Sequence, residues 1–354
     1  MNGRLAIYLR RRVAMQVLAL LAVLTAMMQM LELLDVTTEI LERGQGVGGL
    51  LYYAVLRLPA ELGLALPLAV LLGSMTVLNT MARGLEITAM RSSGVSLMRM
   101  LGYLLPVLIA FAGLQVVLQQ WVLPRVEIEF KQWWNANAPA EDERKPLWAN
   151  TNGGPVLIEA FSPDGRELRG VRLYEKRDGQ LSTRLRAAVA RWDGQAWQLE
   201  DVTELHFEAG GLRQVHEEAR TWQNNLQPDE VLRLSLARPY LSTMMIAEVI
   251  AGARPGSQPL SYYQTALYRS FTAPLGVFIM LLLALPTAST LSRGGGGGGG
   301  MVVALMLGLA FLLCDGVVAA LGSSGQFPPL ATAIAAPLLF AAIGLARVLW
   351  CERP

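Results

Sequence analysis

The chain has 354 residues, 53% of them hydrophobic, and a formal net charge of +2. A mean hydropathy of +0.37 is high for a soluble protein, and the near-neutral balance removes any global case for nucleic-acid binding. The two cysteines, Cys314 and Cys351, form neither a disulfide framework nor a metal-ligand pattern.

The 58 charged side chains are unevenly placed, with 35 of them between Val122 and Tyr240. The remainder of the chain is poor in charge, as membrane segments must be. In chain order, Arg4, Arg10, Arg11 and Arg12 precede a charge-free run from Val13 to Leu31. At ~1.5 Å per residue this run reaches roughly the ~30 Å of a bilayer core. It lacks a small-residue cleavage site, which favours a retained first span over a signal peptide. Glu32 and Asp35 follow, then a Gly-rich loop from Gly44 to Gly49. A second span is predicted from about Pro59 to Thr80 and a third from about Met100 to Leu123, with Pro67 and Pro106 as tolerated kinks.

Acids and turn signals become common from Pro124 to about Pro239. Pro163-Asp164-Gly165, Asp178-Gly179, Asp193-Gly194 and Gly210-Gly211 separate short strand-like runs: Pro155–Phe161, Gly170–Glu175, Leu181–Trp192 and Trp197–Phe207. This pattern predicts an antiparallel β sandwich or jelly roll. A helix-like stretch from Leu241 to Ala251 and a Pro/Gly-rich loop lead to a fourth span, about Tyr268 to Thr290. The fifth is Met301 to Leu321 and the sixth Leu330 to Trp350. The predicted fold is a polytopic α-helical membrane protein with 3 + 3 spans and an inserted all-β jelly-roll domain. Its divisions are residues 1–123, with a cytoplasmic helix at about 83–96, then the β domain 124–239, a connector 240–267 and spans 268–354.

Basic residues in short loops set the orientation. Arg4, Arg10 to Arg12, Arg83, Arg91, Arg99, Arg293, Arg347 and Arg353 fall on one side if both termini are cytoplasmic. The β domain then lies outside.

Little in the chain suggests catalysis. The run Gly294 to Gly300 is followed by Met301-Val302-Val303, not by the Lys and Ser/Thr of a phosphate-binding loop, and reads as a linker. His206 and His216 have no partners at metal-ligand spacing. Asp315 is the acid inside the fifth span. A charge there costs roughly 2.5–3.5 kcal/mol unless it faces a partner, a cavity or the hydrated interface. Glu32 and Asp35 admit the same two readings. The stretch Met81 to Met100 carries Arg83, Arg91, Arg99 and Glu86. It is longer than a plain hairpin connection needs. Helix formers from Leu85 to Arg91 and a stop at Gly94 predict a short helix parallel to the membrane, with Leu85, Ala89 and Met90 facing the membrane or a partner.

Glu86-Ile87-Thr88-Ala89-Met90-Arg91-Ser92-Ser93-Gly94-Val95-Ser96 resembles the coupling-helix motif of the LptF/LptG permeases of lipopolysaccharide export. The likeness covers the six spans, the β domain, Arg269 to Pro274, Asp315 and Phe327-Pro328-Pro329. Asp35 followed by Gly44-Gln45-Gly46, and Leu147-Trp148-Ala149, match LptG better than LptF. The resemblance implies a non-catalytic permease subunit of the bacterial inner membrane that pairs with LptF on an LptB ATPase dimer, with LptC contributing a helix and a periplasmic domain. It implies that ATP and Mg are bound by the ATPase and no cofactor by this chain, and that lipopolysaccharide enters a cavity between the permeases. By the resemblance, Glu86 docks in a groove of LptB, with Arg83, Leu85, Ala89, Met90, Arg91 and Gly94 around it. Glu32, Asp35, Arg43, Arg57 and Asp315 are candidates for the lipid cavity or a partner helix. Where relatives place a lysine in the outer part of span one, this chain has Glu32, and Arg43 or Arg57 is expected to compensate. The residues alone also admit a membrane-anchored scaffold or sensor that transports nothing.

Overall fold

A computed structural model describes residues 2–137, 146–177, 180–208, 211–236, 239–290 and 298–352. Helices α1 (Asn2–Glu42), α2 (Gly46–Arg83), α3 (Glu86–Ser92) and α4 (Leu97–Val117) come first. A π turn (Leu118–Val122) joins α4 to α5 (Leu123–Ala136). Six strands follow: β1 (Leu147–Thr151), β2 (Gly154–Phe161), β3 (Glu167–Arg177), β4 (Gln180–Trp192), β5 (Trp197–Glu208) and β6 (Gly211–Trp222). The chain ends with α6 (Pro228–Leu234), α7 (Thr243–Ile250), α8 (Leu260–Thr272), α9 (Leu275–Ala284), α10 (Thr287–Thr290), α11 (Gly298–Ser323) and α12 (Pro329–Glu352). Among the described residues, five helical stretches are long and apolar enough to cross a membrane. The pair α8 and α9, bent by 53°, makes a sixth. The bend falls at Pro274, whose missing amide and ring stop α8 from continuing.

The helices run well past their charge-free stretches. The 41 residues of α1 reach about 60 Å, twice the bilayer core. The predicted Gly44–Gly49 loop shrinks to a turn, with Gly44 and Gly46 at positive φ (74° and 58°), and α2 begins at Gly46. Likewise Pro124 does not open the β domain. It sits in the first turn of α5, where a missing N–H costs no helical hydrogen bond, and the helix continues to Ala136. Aromatic packing supports that extension. Tyr52 and Tyr53 of α2 meet Trp133 and Phe130 of α5 with ring centroids 5.4 and 5.5 Å apart. The glycine run splits: residues 294–297 lie outside the described residues, whereas Gly298 to Gly300 form the first turn of α11.

The chain divides into two compact units. The first comprises residues 1–37, 57–120 and 264–354, and the second residues 38–56 and 121–263. In the first, small residues let helices approach closely. A Cβ at Gly73 of α2 would lie 2.9 Å from the Val17 Cα of α1. One at Gly308 of α11 would collide with the Leu71 side chain.

In the second unit the all-β insert is a six-stranded antiparallel sheet, every strand paired to its chain neighbours. Pro163-Asp164-Gly165 and Asp193-Gly194 join adjacent strands, while the predicted turns at Asp178-Gly179 and Gly210 lie outside the described residues; with every strand beside its chain neighbour, the connectivity is a meander. Val156, Ile158, Val171, Leu173, Leu185 and Ala187 are buried at the period of 2 that a one-sided sheet gives, and Leu199 and Val202 join them on either side of Asp201, whose positive φ (54°) breaks the alternation in β5. Among the described residues no second sheet faces them. Leu226, Val231 and Leu234, at and within α6, cover this face. Fully buried Trp197 donates from Nε1 to the Leu226 carbonyl at 2.7 Å. The connector is clasped to β1, with Asn150 and Gly256 exchanging backbone hydrogen bonds of 2.7 and 3.1 Å. Arg254 ties α6 to α7 through Glu230 (2.5 Å) and Glu248.

Two expectations follow. Trp197→Ala removes the centre of the sheet core and its bond to Leu226, at a cost of roughly 3–5 kcal/mol. Hydrogen exchange of the sheet amides in detergent-solubilised protein should rise accordingly, and unchanged protection would contradict this assignment of the core. At the β4–β5 turn, the Asp193 carboxylate accepts from the Ala196 and Gln195 backbone N–H groups and the Gln198 amide, each at 2.8 Å. Chiefly the Ala196 N–H, then Gln198, hold its pKa at about 2, below the ordinary 3.8. A carboxyl depressed in the folded state contributes stability above about pH 4 and loses it as pH falls toward 2. Asp193→Asn should therefore flatten the acid side of the β-domain stability profile, and a profile unchanged by the substitution would count against it.

Candidate functional site

The segment between α2 and α4 is built on the seven-residue helix α3. Leu85, just before it, adopts a left-handed backbone (φ 60°) with its side chain 68% exposed. For a non-glycine residue this conformation costs roughly 1–2 kcal/mol. Glu86 occupies the first turn and Arg91 the last, each favourable to the helix dipole. The far end closes as a Schellman motif. The Val95 N–H donates to the Met90 carbonyl and the Gly94 N–H to the Arg91 carbonyl, both at 3.0 Å. Gly94 takes the positive φ of 83° that the motif requires. Ser96 then caps α4 by accepting from the Arg99 N–H.

Helical spacing divides the surface of α3. Leu85, Thr88, Ala89 and Ser92, at i, i+3, i+4 and i+7, form an exposed stripe, flanked by exposed Arg83 and Arg91. Ile87 and Met90 are buried in the helical core. Met90 is thus corrected: it faces inward, because it lies three residues from buried Ile87 and about 100° round the helix from Ala89.

The Glu86 carboxylate does not stand free. Arg12 of α1 donates one guanidinium nitrogen to both of its oxygens, at 2.9 and 3.2 Å. The Tyr8 hydroxyl donates to it at 3.2 Å and accepts from Arg12 at 2.5 Å. The Glu86 side chain remains 35% exposed. Three further contacts bind the surrounding elements. Arg10 donates to the Tyr103 carbonyl of α4 at 2.6 Å. Arg91 reaches the Cys351 carbonyl at 3.5 Å. The Glu352 carboxylate accepts from the Met98 N–H at 2.9 Å, completing the cap of α4 from the end of α12.

Glu32 and Asp315 have partners as well. Glu32 pairs with Arg57 at 2.5 Å, and Glu61, one turn beyond Arg57 on α2, is buried, only 3% exposed. Asp315 of α11 pairs with Arg269 of α8 at 2.6 Å, and a second Arg269 nitrogen donates to the Asp315 carbonyl at 3.2 Å. Asp35 is exposed on α1. Arg43 is committed elsewhere: its guanidinium lies 4.1 Å above the Trp134 ring, donates to the Trp134 carbonyl at 3.0 Å and pairs with Glu39. The two arginines expected to compensate for an absent lysine therefore already hold internal partners. Sequence reasoning missed Arg12, Tyr8, Glu61 and the Arg269 pairing. Only the i, i+4 spacing of Arg57 and Glu61 left a local signal.

For the α8–α11 pair, both groups are less than a third exposed. Arg269→Ala should cost roughly 1–3 kcal/mol by leaving Asp315 without its partner. Arg269→Ala/Asp315→Ala should recover part of that loss. Thermal midpoints of the solubilised protein measure both, and additive losses would disprove the pairing.

Comparison with known proteins agrees with this architecture. Residues 7–350 match the family model described as lipopolysaccharide export system permease LptF/LptG. The LptG permease protein of Escherichia coli (strain K12) is 25% identical over 304 residues, covering 83% of each chain. The LptG permease protein of Haemophilus influenzae (strain Rd) is 21% identical over 292 residues, covering 80% of this chain and 81% of that protein. With the family model spanning nearly every residue from α1 to α12, the chain belongs to the LptF/LptG family of lipopolysaccharide export permeases.

Proposed function

We propose that the chain is the LptG-type half of a permease pair that extracts lipopolysaccharide from the bacterial inner membrane and passes it to a periplasmic bridge. Work comes from ATP hydrolysed, with Mg, on a separate LptB-type ATPase dimer. The partners are that dimer, an LptF-type permease and an LptC-type protein. Both termini and α3 lie in the cytoplasm, following the basic residues of the short loops, and the sheet lies in the periplasm. The named LptG relatives favour this half of the pair over the LptF-type half.

The observation that carries the reading is the form of α3. A short helix with an exposed stripe at Leu85, Thr88, Ala89 and Ser92, and an acid in its first turn, joins two long membrane helices. The stripe offers an apolar and small-residue surface for a groove, and Glu86 offers a charge for a cation at its rim. Both α2 and α4 continue directly from it, so displacement of α3 reaches the membrane through the chain itself. Glu32, Arg57, Glu61, Asp35, Arg269 and Asp315 are the polar groups through which α1, α2, α8 and α11 meet lipid headgroups or partner helices.

The test is Glu86→Ala, reconstituted in liposomes with the ATPase and the partner permease. ATP-driven lipopolysaccharide release should fall roughly tenfold or more, the equivalent of the ~1.5–3 kcal/mol of a hydrogen bond to a charged group, while the complex still assembles. Undiminished release would sink the docking role of Glu86. A scaffold that transports nothing predicts no ATP-dependent release even from the wild type.

A further inference from the structure

The first and last helices both reach the segment that carries α3. Arg12 and Tyr8 of α1 hold Glu86, and Cys351 and Glu352 of α12 hold Arg91 and the Met98 N–H. We propose that Arg12 and Tyr8 are positioning residues for Glu86, and that through them α1 receives movement of α3 directly, in parallel with α2 and α4. This rests on the reading of α3 as the ATPase-docking helix.

Three observations carry it. First, Arg12 uses one nitrogen against both oxygens of Glu86. An ionised carboxylate has about four lone-pair sites. Glu86, 35% exposed, therefore keeps acceptor capacity for an outside cation while still holding Arg12. A partner contact at Glu86 is relayed without breaking the internal pair. Second, α1 is weakly packed. In its most apolar stretch 17% of residues are buried, against 61% in α2. Its buried stripe is narrow, Leu9, Val13, Val17 and Leu21, while Ile7, Met15, Leu18, Val23, Met27 and Met30 are exposed. Within this chain, the packing of α1 alone opposes little to a pull at its inner end. Third, the inner end of α1 is also bound to α4 through Arg10 and the Tyr103 carbonyl. Its position is thus read from both sides of α3, the helix itself and the span that follows it.

The experiment uses the full complex with ATPase and partner permease in liposomes, and reads lipopolysaccharide released per ATP hydrolysed. Arg12→Ala should lower that ratio about two- to fivefold, in line with a partly exposed ion pair, with assembly retained. Arg12→Lys keeps the charge and should restore most of it. Arg4, Arg10 and Arg11 remain to hold the topology. If Arg12→Ala disturbs assembly, Tyr8→Phe is read instead and should lower the ratio. An unchanged or increased ratio in the assembled variant overturns the inference. Absence of release from the wild type removes the transport reading itself, so the two failures are told apart.

Discussion

Hydrocarbon offers no partner to a backbone amide or to a charge, so a chain that crosses it must satisfy both internally. That constraint explains why α1, α2 and the α4–α5 run stay helical until the chain has left the apolar stretch. It also explains the pairing of Glu32 with Arg57 and of Asp315 with Arg269. Each unpaired charge at a span centre would cost roughly 2.5–3.5 kcal/mol. Prolines lie inside α2, α4 and α12 without ending them, as membrane helices tolerate. At Pro274, where the helix does break, the span is bent instead.

The same dependence on surroundings governs α3. Seven residues are too few to hold a helix in water by themselves. Ile87 and Met90, buried against the core, and the Schellman closure at Gly94 supply the missing stability. Its shape is therefore inseparable from the helices beneath it. A helix stabilised in this way is a fitted part of the bundle.

How much of this was legible in sequence depended on the range of the interaction. Spans were legible because a charge-free run of bilayer length is rare outside a membrane. Their ends were not, because α1 and α5 continue as helices through Glu32, Asp35 and Glu39, or through Arg125 and Glu127, where charge alone suggests an exit. Strands β2 to β5 were announced by Pro163-Asp164-Gly165, Asp193-Gly194 and alternating apolar residues. Strand β6 carries Arg213, His216, Glu217, Glu218 and Arg220 on a largely exposed edge and leaves no such pattern. Glu86 was singled out through family resemblance, but its partner Arg12 lies 74 positions away. The Arg269–Asp315 pair spans 46. Contacts of that range have no local signature.

The clasp between Gly256 and Asn150 has a consequence for the sheet as a whole. A sheet ordinarily has two open margins, each a template for another strand. Here the short margin at β1 is occupied midway by the connector, while β6 presents twelve residues at the opposite margin. The sheet is thereby given a direction: among the described residues the β1 margin is interrupted by the connector, and no further strand pairs with β6.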